Sequence, residues 1–242
     1  MADPRFFLDA ELAAGATIDL PGSVAHHAAR VLRLRDADRI VLFNGRGGEY
    51  HGRLAAGGSR AELTAHLAVE RESALAVTLL QAWIATDKME MVIEKAVELG
   101  VTSIVLAPAR RSVVRLEGAR LARRMDRLRD IVVAACCQCG RNRVPEVEAV
   151  GDLRDGLHRA AAQATGIILQ PDAEASLGDL ARLAPAAFAI AVGPEGGFET
   201  SELALASDAG YRPARLGPRV LRTETAALVA LATLQGTVGD FR

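Results

Sequence analysis

Ala187-Phe188-Ala189-Ile190-Ala191-Val192 runs without interruption into Gly193-Pro194-Glu195-Gly196-Gly197-Phe198. A short apolar run closed by a glycine turn reads as a strand buried on both faces, the kind found in parallel sheets. Three glycines in five residues exceed what a simple connection needs. They strip away side chains, so backbone N–H and C=O groups can come close to a ligand. In an open α/β sheet, ligands bind beyond the carboxyl ends of the strands, which is where this loop falls.

Working outward, strands and helices alternate from about residue 75 onward, the pattern of a mainly parallel sheet covered on both faces. The expected strands are 76–82, 103–107, 166–170, 187–192 and 214–216. The expected helices are 88–99, 118–137, 153–164, 201–209 and 224–235, with Gly100 and Gly236 as C-caps. The first 73 residues differ. Arg39–Phe43, Glu49–Leu54 and Ala61–Val69 read as strands joined by turns at Asn44-Gly45-Arg46-Gly47-Gly48 and Gly57-Gly58, the spacing of a small β-barrel. A helix over Ser23–Leu34 is expected before them, with Ser23 as N-cap and an inward stripe of Val24, Ala28, Val31 and Leu32. Two domains are therefore expected, 1–73 and 74–242.

Composition narrows the class. Half of the 242 residues are hydrophobic and the net charge is −1, which argues against disorder. No apolar run is long enough to span a bilayer, and Met1-Ala2-Asp3-Pro4-Arg5 lacks the features of a signal peptide, so a cytoplasmic location without membrane partners is the expectation. The three cysteines fall within Cys136-Cys137-Gln138-Cys139. They read as reduced, buried thiols rather than a zinc site, because no second ligand pair stands at metal spacing. The five histidines show no metal spacing either, so no metal is expected. Charge is uneven: Arg110–Arg143 holds ten arginines against three acids, a local +7 able to meet a phosphate backbone. With only two lysines, Lys88 and Lys95, in the chain, a solvated helix face in an arginine-rich protein explains the excess equally well.

P-loop, dinucleotide-binding, nucleophile-elbow and zinc-protease signatures are absent. A second loop stands out instead: Leu216-Gly217-Pro218-Arg219-Val220-Leu221-Arg222, followed by Thr223-Glu224-Thr225. Thr223 is read as the cap of an apolar helix starting at Glu224. That helix belongs inside the fold or in a subunit interface. Its N-terminus beside Arg222 would attract an anionic group.

Together the two loops resemble the SPOUT superfamily of methyltransferases, and within it the RsmE family. Further matching stretches are His26–Arg35 with Asp38-Arg39, Lys88 with Ile93–Val101, Arg111–Val114 and Gln138–Pro145. E-K-x-x-E-L-G, Q-C-G-R-N-R and L-G-P-R-x-L-R-T-E-T-A in this order are the specific part. Cys136 and Cys137 depart from the family's usual residues. The resemblance implies an N-terminal PUA-like β-barrel and a C-terminal α/β domain knotted as a trefoil, acting as a homodimer. It implies methylation of uridine N3 in small-subunit (16S) ribosomal RNA, naked or in the assembled subunit, with S-adenosylmethionine as donor. The donor contacts it implies are Leu169, Gly193, Glu195, Gly196, Gly197, Leu216, Gly217, Val220, Leu221 and Thr223.

Uracil N3 carries a proton at neutral pH, so the chemistry needs a group to stabilise ring charge and a proton acceptor. Arg222, with Arg141 second, is the candidate for the charge. Glu224, with Glu195 second, is the candidate for the proton, although Glu224 also suits a purely structural place at a helix N-terminus. Arg30, Arg33, Arg35, Arg110, Arg111, Arg141 and Arg143 are the expected RNA contacts. A ribose 2′-O enzyme of the same superfamily and a non-catalytic rRNA-binding assembly factor are the competing readings.

Overall fold

The computed structural model describes residues 3–183 and 187–241. Met1 and Ala2 of the N-terminal stretch read above lie outside them. The chain divides into two compact units: Met1–Glu72 with Cys136–Val144, and Ser73–Ala135 with Pro145–Arg242. The segment Cys136–Val144, which carries Q-C-G-R-N-R, is thus grouped with the first unit although it lies far beyond residue 73.

The first unit is a five-stranded half-barrel of β1 (Arg5–Phe7), β2 (Thr17–Asp19), β3 (Arg39–Phe43), β4 (Glu49–Ala55) and β5 (Arg60–Leu67), in the order β1-β3-β4-β5-β2. Its core holds Phe6, Leu8, Leu12, Leu20, Ala28, Ile40, Leu42, Leu54, Ala61 and Leu63. Helix α1 departs from expectation. It spans Gly22–His26 after Pro21, without a side-chain cap from Ser23, and widens into a π-helical turn over His27–Val31. An extra residue per turn rotates the following side chains off the helical stripe. Ala28 stays buried, while Val31 and Leu32 are exposed. Arg33 then adopts φ 56°, a left-handed conformation that ends the helix.

A network around Glu49 joins strand and loop in this unit. The Glu49 carboxylate accepts from Arg5 at 2.7 Å, Arg71 at 3.0 Å and Asn142 at 3.3 Å, and His51 lies 3.2 Å away. Burial pushes the carboxyl up, but hydrogen bonds from Arg71, Arg5 and His51 outweigh it and hold the group down at about 2.

The second unit is a six-stranded, all-parallel sheet of β6 (Ala76–Ala82), β7 (Ser103–Ala107), β8 (Glu146–Ala149), β9 (Thr165–Leu169), β10 (Ala187–Val192) and β11 (Arg212–Ala214), ordered β11-β9-β10-β6-β7-β8. The helices are α2 (Thr86–Glu98), α3 (Gly118–Cys139), α4 (Leu153–Ala160), α5 (Leu177–Arg182), α6 (Thr200–Asp208) and α7 (Thr223–Thr237). Helices α4 and α6 pack together, α4 lying on β6, β7 and β10, while α7 packs with α2 and α5 and against β6 and β10. Every residue of β10 from Phe188 to Val192 is buried, as a strand covered on both faces requires. The central strands β6, β7 and β10 have the expected bounds, whereas β11 lies two residues earlier than expected. Gly100 takes φ +79° at the end of α2, as a C-cap glycine does. Gly236, expected as a C-cap, instead lies inside α7, which runs on to Thr237.

Candidate active site

Strand β10 ends at Val192, and the glycine loop turns immediately. Gly197 adopts φ +69°, closed by its N–H to the Pro194 carbonyl at 2.9 Å. A Cβ on Gly193 would stand 3.2 Å from the Phe198 ring and from the Phe198 amide nitrogen, so the turn is too tight for a side chain there. The loop feeds α6 through a capping box in which the Glu202 carboxylate accepts from the Glu199 amide at 2.8 Å.

The second loop follows β11, with Gly217 at φ +114°. Thr223 does not cap α7. The cap position is Arg222, and no side chain bonds the first-turn amides. The Thr223 hydroxyl instead donates to the Gly193 carbonyl at 2.6 Å and accepts from Gln81 at 3.1 Å. Thr223 thereby fastens one loop to the other, held in place by Gln81 of β6, which a local capping reading could not foresee.

The two loops enclose a cavity of about 640 Å³. Its walls include every donor-binding residue expected from the sequence, namely Leu169, Gly193, Glu195, Gly196, Gly197, Leu216, Gly217, Val220, Leu221 and Thr223, together with Arg222 and Arg111. Arg222 is exposed. Arg111 donates to the Gly196 carbonyl at 2.8 Å, and a Cβ on Gly196 would lie 3.1 Å from its Cβ and Cδ. The volume lies within the range of small-molecule sites, and apolar Leu169, Leu216, Val220 and Leu221 combine with cations at the wall. A flat purine with a charged tail, as in S-adenosylmethionine, fits that mixture and the side-chain-free glycine turn.

Lys88, at the start of α2, also lines the cavity. Its ammonium stands 3.7 Å from Glu195 and 3.6 Å from Glu224. Glu195 is exposed, whereas Glu224 is buried and has one carboxylate oxygen without a hydrogen-bond partner. Glu224 is not part of the cavity wall. Glu195, by contrast, lines the cavity together with Lys88.

Two protein-family models match the chain. The RNA methyltransferase domain covers residues 71–235, and the RNA methyltransferase PUA domain covers residues 20–65. The ribosomal RNA small subunit methyltransferase E of Mycobacterium bovis is 35% identical over 239 residues, 95% of this chain and 90% of that protein. The chain belongs to the ribosomal RNA small subunit methyltransferase E family. The crystal structure of the family member from Neisseria gonorrhoeae, bound to S-adenosylmethionine, is 38% identical with a TM-score of 0.91, covering all of both chains. A putative methyltransferase from Legionella pneumophila, also in complex with S-adenosylmethionine, gives 34% identity and a TM-score of 0.93 over 99% of this chain and all of that one. The fold is accordingly the SPOUT α/β-knot domain with an N-terminal PUA-like domain.

The RNA contacts expected from the family resemblance scatter over both units. Arg30, Arg33 and Arg35 are exposed on and after the π-helical turn of the first unit. Arg143 is exposed but pairs with Glu70 at 3.1 Å. Arg141 corrects an expectation. It is 5% exposed, and Glu72 takes its guanidinium in a paired contact of 2.5 Å, so its charge is used inside the unit rather than offered to RNA or to a uracil ring. Arg110 and Arg111 lie in the second unit, Arg111 already committed to the glycine loop. The cysteines are ordinary packing groups: Cys136 donates to the Arg143 carbonyl at 3.6 Å, and burial pushes its thiol up to about 12. Among the described residues no cluster could hold a metal ion, and no helix is long and apolar enough to cross a membrane. Lys88 and Gln81 carry site geometry that sequence reasoning missed. The signal for Lys88 was its rarity, one of two lysines in the chain.

Proposed function

We propose that this protein transfers the methyl group of S-adenosylmethionine to N3 of a uridine in 16S ribosomal RNA, during maturation of the small subunit. The carrying observation is the cavity in which both C-terminal loops converge, with Lys88, Glu195 and Arg222 among the residues that line it. The bound donor supplies an electrophilic methyl group on sulfur. The glycine turn and Leu216–Leu221 hold and orient it through backbone and apolar contacts. Arg222, without an ion pair among the described residues, faces the negative charge that spreads over the uracil ring as N3 loses its proton. Glu195 accepts that proton. Lys88 keeps the Glu195 carboxylate in place, and Glu224 anchors Lys88 from behind. This arrangement favours base methylation over ribose 2′-O transfer, because it pairs a proton acceptor with a cation suited to a delocalised anion.

Nucleoside analysis of small-subunit RNA incubated with the protein and labelled donor tests the reading. Label in 3-methyluridine is expected; label in 2′-O-methyl nucleosides, or none with donor bound, overturns it. Residues 1–73 are proposed as the RNA-docking domain and 74–242 as the methyltransferase domain. The active form is proposed to be a homodimer, since the apolar helix α7 leaves Leu228 and Val229 half-buried. Sedimentation that finds only the 25.6 kDa chain would refute the dimer.

Gly196→Val is expected to weaken donor binding at least tenfold without unfolding the protein. The branched side chain would press on the Arg111 stem and fill the cradle, so the loop loses the open face it presents to the ligand. Calorimetric titration with S-adenosylmethionine checks it; wild-type affinity would remove the glycine loop from the donor site.

A further inference from the structure

A second cavity, of about 960 Å³, opens beyond the carboxyl ends of β6, β7 and β8 in the same unit. Its wall sets apolar Trp83, Val114 and Leu116 beside Arg110, Arg115 and Arg154. All three arginines are exposed, and none forms an ion pair among the described residues. Two of the acids at this wall are occupied elsewhere. Asp152 caps α4 by accepting from the Asp155 amide at 2.8 Å, and buried Glu202 accepts from the Arg110 and Glu199 amides, each at 2.8 Å. Glu117 remains exposed at the rim. The cavity therefore presents unspent guanidinium groups next to apolar surface.

Its position relative to the donor cavity is fixed. Arg110 lines the second cavity and Arg111 the first; Glu202 lines the second and Leu203 the first. The Glu202 hydrogen bonds to both neighbouring backbones make this ridge rigid. A base presented for in-line attack must leave its stack, so the nucleotides beside it are splayed over whatever adjoins the donor cavity.

We propose that the second cavity binds a nucleotide flanking the target uridine. Arg115 and Arg154 grip its phosphate, with the bidentate geometry guanidinium offers, and Val114 and Leu116 meet its base. The proposal rests on the reading of the first cavity as a site of RNA methylation. A protein partner fits less well, because the three unpaired arginines call for a polyanion.

The test uses the full-length protein, an oligoribonucleotide carrying the target uridine, and the variants Arg115→Ala/Arg154→Ala and Arg154→Glu. For the double variant the KM for RNA is expected to rise at least tenfold, with kcat within twofold and donor affinity unchanged. Losing the grip on one phosphate of a single strand should also lower the slope of log binding constant against log salt by about 0.7. An unchanged KM together with an unchanged salt slope overturns the proposal. If the double variant loses donor binding through misfolding, Arg154→Glu decides by the same two readouts. Failure of the methylation reading shows differently: wild-type protein then binds donor but labels no uridine, while the salt-slope comparison still reports on the cavity.

Discussion

Arg222→Ala is expected to lower kcat for rRNA methylation by about 10²–10³-fold, the cost of removing one donor aimed at developing charge, or roughly 3–4 kcal/mol of transition-state stabilisation. Arg222 is exposed at the wall of the donor cavity and holds the cap position of α7 through its backbone, not its side chain. Truncation therefore leaves the helix start intact. The Ala226 amide still bonds the residue-222 carbonyl, at 2.8 Å in the parent structure. The loss should fall on kcat, with donor affinity changed by less than threefold and KM for RNA nearly constant, the signature of an interaction made only in the transition state. Arg222→Lys should recover only part of the rate, since a point charge cannot span a delocalised anion as a planar guanidinium does. A variant with normal kcat but a raised KM for RNA would reassign Arg222 to substrate docking. Glu195→Gln separates the two halves of the chemistry. It removes the proton acceptor while sparing Arg222, so kcat should fall with donor affinity kept.

Glu49→Gln is expected to destabilise the first unit by about 2–3 kcal/mol near neutral pH, with little effect on the second. The Glu49 carboxylate is only 6% exposed and is shared by Arg5 and Arg71. The amide leaves two guanidinium groups facing a neutral group. Arg71 is 42% exposed, so water screens its part of the loss. Hydrogen exchange at the amides of β4 and β5 is the measurement, because it reports this unit separately. The pH dependence has a definite sign. The folded carboxyl lies at about 2 against an ordinary 4.5, so its contribution is complete above pH 4.5 and drains away as pH falls towards 2. Wild type and variant should therefore converge in acid. A difference between them that persists undiminished below pH 2 would mean that packing, not charge, is what Glu49 supplies.

The parallel sheet was legible because its middle strands are nearly continuous apolar runs, a pattern imposed by burial on both faces. Ala187–Val192 and Ser103–Ala107 stand where they were expected for that reason. The short or mixed elements were not legible. β8 is Glu-Val-Glu-Ala, α5 is a six-residue helix, and β1 is three residues paired in parallel with β3. Such segments carry too few side chains for a period to emerge, and their neighbours in the sheet supply the stability their own sequence lacks.

The donor loops were legible for a different reason: glycines at 193, 197 and 217 answer to geometry that is local to each loop, and local demands are written in local sequence. The identities of the partners around those loops were not. Lys88 meets Glu195 and Glu224 only because α2 and α7 pack together and β6 lies beside β10. Thr223 looked like a helix cap until Gln81 and the Gly193 carbonyl claimed its hydroxyl. Arg141 looked available to RNA until Glu72 took it. By itself the sequence determined the sheet's buried strands, the places where the backbone must turn, and the family. The tertiary structure alone decided which charges are spent on one another and which remain to act, because a side chain's role depends on partners brought together from distant parts of the chain.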